Sequence, residues 1–191
     1  MTNSVLSAIL ARRTAGAKRL IEPGPSRAEL ETIIAAGAAA PDHGLLVPFR
    51  FVEVPRSRRA DISAAFVAAL HEGPKPPSAD DIAKAQAKGE RGPLLIAVIA
   101  GVKPDHPKIT ASDQWLTVGC VLQNMVLACE ALDFGVGISS GRALASHAMR
   151  KLFALKDNEE VVSFLLIGKV TGEAAPPRRK PPLAEVLSTL T

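Results

Sequence analysis

A chain of 191 residues, 47% of them apolar and 22% charged, can build one well-buried core but is short for two, so residues 1–191 are read as a single domain. The net charge of +4 sits in scattered clusters, at Arg12 and Arg13, at 56–59 and at 178–180, and only 4% of the residues are aromatic. Without interleaved aromatics or a recognition motif, these charges exclude a nucleic-acid partner.

The first residues, MTNSVLSAILARRTAG, have no basic stretch ahead of a short apolar run, so neither a secretory leader nor a membrane span is expected, and the protein is placed in the cytoplasm. Val5, Ala8, Ile9 and Ala11 predict a helix over residues 4–13, ending in the basic pair Arg12 and Arg13 before Thr14. Ser26 and Glu29 have the spacing of a capping box, which starts a second helix after the turn at Pro23 and Pro25. Ile33, Ile34, Gly37 and Ala38 continue it until Pro41, which cannot sit inside a helix. Asp42, His43 and Gly44 therefore form a loop, and the run from Phe49 to Val54 predicts a mostly buried strand.

A third helix is expected over residues 58–71, and the polar stretch 73–92 holds a short helix starting at Ser78 and Asp81, of the kind that makes a mobile lid. LLIAVIA, residues 94–100, predicts a central strand covered on both faces. A long helix over 113–133 carries Val118, Val121, Leu122, Met125, Cys129 and Leu132 as its apolar stripe, with Leu116, Val126 and Leu127 outside it. That breadth predicts burial on more than one side, with a second subunit as the extra cover. Then come a glycine-rich strand and turn, GVGISSG at 135–141, a helix over 142–153, a strand over 161–170, and a proline-rich, basic C-terminal arm from about 171 to 191 with a terminal helix at 183–190. Helices interleaved with three or four strands make an α/β or α+β protein.

GVGISSG invites two enzyme readings. The dinucleotide fingerprint fails because position 140 is serine where a third glycine is required. A nucleophile elbow at Ser139 needs an acid and then a histidine downstream, but His147 is the last histidine and no acid precedes it after Ser139. What remains is a structural Gly/Ser turn or a turn that offers backbone amides to a ligand. Arg12, Arg13 and Thr14 could bind a phosphate or simply solvate a helix end. His43 could do no more than bond Asp42, and His71, His106 and His147 read as structural or surface residues. Cys120 and Cys129, about 13 Å apart along one helix, cannot bridge each other and are expected to be buried, reduced thiols. No metal-ligand spacing is present.

Taken together, Arg12-Arg13-Thr14, Ala40-Pro41-Asp42-His43, Pro48-Phe49-x-Phe51, the long helix carrying Cys120 and Phe134-Gly-Val-Gly-Ile-Ser-Ser-Gly141 resemble the nitroreductase superfamily, in particular its compact FMN-dependent branch. The similarity runs in one register from about Val5 to Val170. It implies an α+β fold, with a central, mainly antiparallel sheet flanked by helices, in a homodimer holding two FMN molecules at a shared interface. It also implies an FMN-dependent oxidoreductase that takes hydride from NAD(P)H and reduces nitroaromatics, quinones or similar electron-poor acceptors by a ping-pong mechanism. Matched residue by residue, Arg12, Arg13 and Thr14 would contact the flavin phosphate, and Ile138, Ser139 and Ser140 would face the ring. The main chain near Ala39 and the side chain of His43 would reach the other subunit's flavin, and Arg178 and Arg179 would add a phosphate contact from the arm. No catalytic side chain is expected, because the redox chemistry is the cofactor's. The chain departs from the pattern at Val47 and Phe49, at Ile138 and Ser139, and by two extra residues within 15–18, which leaves open whether Lys18 or Arg19 tunes the ring. These losses suggest an alternative, a flavin-binding or sequestering protein with little turnover.

Overall fold

The computed structural model describes residues 4–172 and 180–190; Arg178 and Arg179 lie outside the described residues. Its framework is a sheet in which every described strand pairing is antiparallel. Strand β5 (Glu159–Val170) is the centre. It pairs along one edge with β3 (Leu94–Gly101) and along the other with β4 (Gly135–Ser139), while the two-residue β1 (Leu20–Ile21) pairs at its C-terminal end. Beyond β3 lies β2 (Phe49–Glu53), whose residues are only half-buried because it forms the sheet edge, not the interior strand that its apolar run suggests.

Continuous apolar sequence in β3 and β5 is explained by cover on both faces. Leu95, Ala97 and Ile99 of β3 and Phe164 and Leu166 of β5 face one core, shared with α3 (Arg59–His71) and α6 (His147–Leu152). Ile96, Val98, Leu165 and Ile167 face the other, shared with α2 (Arg27–Ala38) and α5 (Ala111–Ala131). The β3–β5 register shifts between Val98 and Ile99, so Val162 is an extra residue, and this bulge returns Val161 to the face of Phe164.

Caps set the helix starts. Ser26 and Glu29 form the expected capping box on α2, and Thr110 with Asp113 does the same for α5, two residues earlier than the periodicity alone places it. The helix expected over 142–153 is split: residues 142–145 make a 3-10 turn, Ser146 is extended, and its hydroxyl caps α6 by accepting from the Met149 amide. The polar helix α4 (Ala79–Gly89) is not a loose lid. Ala85 is buried, Ser63 donates to the Gln86 carbonyl at 2.6 Å, and Gly89 lies so close to α3 that a Cβ there would stand 2.5 Å from the Arg59 carbonyl. At the C-terminus, the helix is a single turn, Leu183–Val186.

Cys129 is buried, which pushes its thiol pKa up to about 12, whereas Cys120 is exposed, contrary to expectation, because it lies on a face of α5 that the described residues leave uncovered. The same uncovered surface includes Leu116 on α5, and Val5, Leu6, Ile9 and Leu10 are exposed on α1 (Ser4–Ala11), which buries none of its residues.

Candidate functional site

The basic segment after α1 is folded onto β4. The Ala15 amide donates to the Val136 carbonyl at 2.8 Å, and a Cβ on Gly137 would stand 3.1 Å from the Ala15 carbonyl, so the glycines of β4 allow the 12–17 loop to lie directly on the strand. Arg12 donates from Nη1 to Thr14 Oγ1 at 3.1 Å. Arg13 and Thr14 line a cavity of about 500 Å³ together with Arg19 and Lys169, while Lys18 does not line it. Lys169 donates to the Asp133 carboxylate at 2.9 Å and lies 4.2 Å from the centre of the Phe134 ring. Asp133 and Glu130 also line the cavity and Asp133 pairs with Lys169, so Arg13, Arg19 and the Thr14 hydroxyl are the donors suited to an anion such as a phosphate.

Ile138 and Ser139 end the same strand, and Ser140 follows it. Ile138 and Ser140 are exposed, Ser139 is half-buried, and Gly141 has φ 129 with open space where a Cβ would stand. Ser139 shares a small space with Ala17, and with Lys88 and Arg91 from and just beyond α4, two cations that nothing in the sequence marks as neighbours of β4. Arg13 and Thr14 thus share a cavity with the first residues of β4, Gly135 and Val136, whereas Arg12 and residues 138–140 do not line it.

Ala39 and His43 are elsewhere. Ala39 is the exposed C-terminal cap of α2, and His43 Nδ1 is 3.8 Å from Asp113 Oδ2 at the start of α5, not bonded to Asp42. Asp42 instead accepts from the Val47 amide at 2.7 Å, which holds a strained loop: Leu45 and Val47 have φ of 52 and 47, left-handed values unusual for a non-glycine residue and rarer still for a β-branched one. Both side chains are exposed, Leu45 by 83% and Val47 by 60%. Asp113 is held below the usual carboxylate range, first by the Thr110 hydroxyl and amide and then by His43. The Arg13 cavity reaches α5 at Val126 and Glu130 and His43 meets it at Asp113, so 13 to 17 residues of helix, about 20–25 Å, separate those two contacts, while Ala39 is nearer the cavity, since the Ala36 carbonyl accepts from Asn124 at 3.1 Å.

Among the described residues no cluster of His, Cys, Asp and Glu could hold a metal ion, and no helix is long and apolar enough to cross a membrane. The sequence model of the Nitroreductase family matches residues 11–169. The Escherichia coli K12 protein named "Putative NAD(P)H nitroreductase YdjA" is 33% identical over 165 residues, spanning 85% of this chain and 86% of that protein. A nitroreductase-like family protein from Bacillus cereus superposes with a TM-score of 0.82 at 16% identity, over 100% of this chain and 97% of its own. A nitroreductase from Desulfovibrio desulfuricans, solved in complex with FMN and described as putative, superposes with a TM-score of 0.74 at 23% identity, over 100% and 99% of the two chains.

Proposed function

The chain belongs to the nitroreductase family, and from that premise we propose that it is an FMN-dependent oxidoreductase working as a homodimer in the cytoplasm. The observation that carries the reading is the docking of the segment that follows Arg12, Arg13 and Thr14 onto β4, where the Ala15 amide donates to the Val136 carbonyl two residues before Ile138. The donor set fits a flavin nucleotide: cations and a hydroxyl for the phosphate dianion, and exposed main chain beside an apolar side chain for the ring edge. When bound, FMN supplies the redox chemistry, taking up hydride from NAD(P)H and passing electrons in a second half-reaction to a nitroaromatic, quinone or similar electron-poor acceptor.

The chain's own residues bind and orient. Arg12, Arg13 and Thr14 would fix the phosphate, with Arg178 and Arg179 of the arm adding charge, and the backbone of Ile138, Ser139 and Ser140 would align the ring. Arg19, which lines the cavity beside Arg13, is a better candidate than Lys18 for a cation near the flavin. His43 meets α5 about 20–25 Å along the helix from the residues that line the Arg13 cavity, so His43 of the partner subunit would close that pocket, with Ala39 of the partner subunit beside it. The apolar residues left open on α1 and α5 supply the contact surface for such a pairing.

Purified protein should be yellow, and its flavin band should bleach on adding NADH or NADPH and recover with an electron-poor acceptor. Protein that stays colourless after incubation with FMN contradicts the proposal. Bound flavin that NAD(P)H does not reduce would favour a sequestering protein, a reading motivated by Val47 and Ser139. Arg12→Ala should weaken FMN binding by about 1.5–3 kcal/mol, the range for a hydrogen bond to a charged group, and an unchanged dissociation constant removes Arg12 from the phosphate site.

A further inference from the structure

A second cleft opens where β2, β3 and β5 end together, three residues beyond His43 on the same strained loop. Its volume of about 350 Å³ is enough for one small aromatic ligand. One wall is apolar, made by Leu46, Val47 and Phe49. The other is charged. Glu159 binds Arg50 in a two-pronged ion pair, at 2.8 and 2.9 Å, so these two charges cancel. Lys103 and Lys156 remain, and among the described residues neither ammonium has a carboxylate within 4 Å.

The backbone that presents these lysines is fixed from behind. The fully buried Gln114 accepts from the Lys103 amide at 2.8 Å and donates to its carbonyl at 2.9 Å. Arg150 donates to the carbonyls of Lys156, at 2.8 Å, and Glu159, at 2.9 Å. Asn158, itself in the cleft wall, donates to the Val102 carbonyl at 3.2 Å and ties the two segments together. Two exposed lysines on a fixed backbone line the same cleft as Leu46, Val47 and Phe49, a lining that matches a flat ligand with an anionic end.

We propose that this cleft is a specificity subsite for a carboxylate or phosphate on the molecule that exchanges electrons at the site, with Lys103 and Lys156 as the anion contacts and Val47 and Phe49 as the apolar face. It rests on the reading that the His43 loop lies against the partner subunit's flavin. The anion belongs either to an acidic aromatic acceptor or to the oxidised or reduced nicotinamide dinucleotide, and two probes distinguish these sources.

Calorimetric titration of the FMN-incubated protein with 4-nitrobenzoate, and separately with NADP+, should be run on the native chain and on the double variant Lys103→Gln, Lys156→Gln. The variant should bind one probe at least about tenfold more weakly, with the difference shrinking at high salt. A loss confined to 4-nitrobenzoate assigns the cleft to the acceptor, and a loss confined to NADP+ assigns it to the dinucleotide phosphates. Nitrobenzene, the neutral analogue, should be affected less than 4-nitrobenzoate. Unchanged affinity for both anions, or no binding of either by the native protein, overturns the proposal. The visible absorbance of the same sample reports flavin occupancy, so failure of the cofactor reading is seen separately from failure of the cleft.

Discussion

Arg59 shows how a charged residue can be structural. Its guanidinium is fully buried and donates to the carbonyls of Val54, Gly89, Arg91, Gly92 and Pro93, at 3.1–3.5 Å, tying the start of α3 to the end of α4 and to the approach into β3. Burial lowers its pKa. Arg59→Met would leave these carbonyls without their donors at a cost of about 3 kcal/mol or more, measurable by urea denaturation. Glu159 is a different case. Arg50 first, and then the Lys156 amide, hold its carboxyl down to about 2 from an ordinary 4.5. A depressed carboxyl stabilises the fold fully above its ordinary value and loses that contribution as pH falls from about 5 through 2. With its Arg50 partner partly exposed, the contribution is about 2 kcal/mol, so Glu159→Gln should destabilise the protein by that amount at neutral pH and by almost nothing near pH 2. A variant whose deficit is the same at both pH values contradicts this account. Neither role is legible in the sequence, since all but one of the carbonyls that Arg59 meets are 30 or more residues away and Glu159 meets Arg50 only through sheet pairing.

Elements whose signals are local were readable. The Ser26–Glu29 box, the LLIAVIA strand and the Pro41 stop each act within a few residues, and the structure has α2, β3 and the loop where these place them. Features set by distant contacts were not. β1 is two residues long and exists only through its pairing with Lys169 and Val170, β2 is apolar yet lies at the edge, and the break at Ser146 comes from a cap hidden in a helix-like pattern. For α4, polarity and flanking prolines suggested a lid, while the packing depends on a glycine. Gly89→Ala would ordinarily favour a helix by about 1 kcal/mol. Here the added methyl meets the Arg59 carbonyl at 2.5 Å and the Ser63 amide nitrogen at 2.8 Å, so the variant should lower the melting temperature and increase amide exchange in α4. A raised melting temperature would mean that the two helices are free to separate.

At the scale of the whole molecule, residues matched to one flavin site fall in two places, Arg12, Arg13, Thr14 and Ile138–Ser140 along β4, and His43 near the start of α5. The sequence shows both motifs but not the length of α5 between their contacts, about 20–25 Å, which the proposed second subunit would bridge. The apolar side chains of Val5, Ile9, Leu10 and Leu116 are open in one chain, an arrangement that a dimer would relieve. Sedimentation velocity of the FMN-incubated protein, monitored in the flavin's visible band, tests pairing and cofactor together. The predicted result is one boundary at twice the chain mass that carries the flavin absorbance. Flavin sedimenting with a species of single-chain mass, or a dimer boundary without flavin, would contradict a cofactor site shared between two chains.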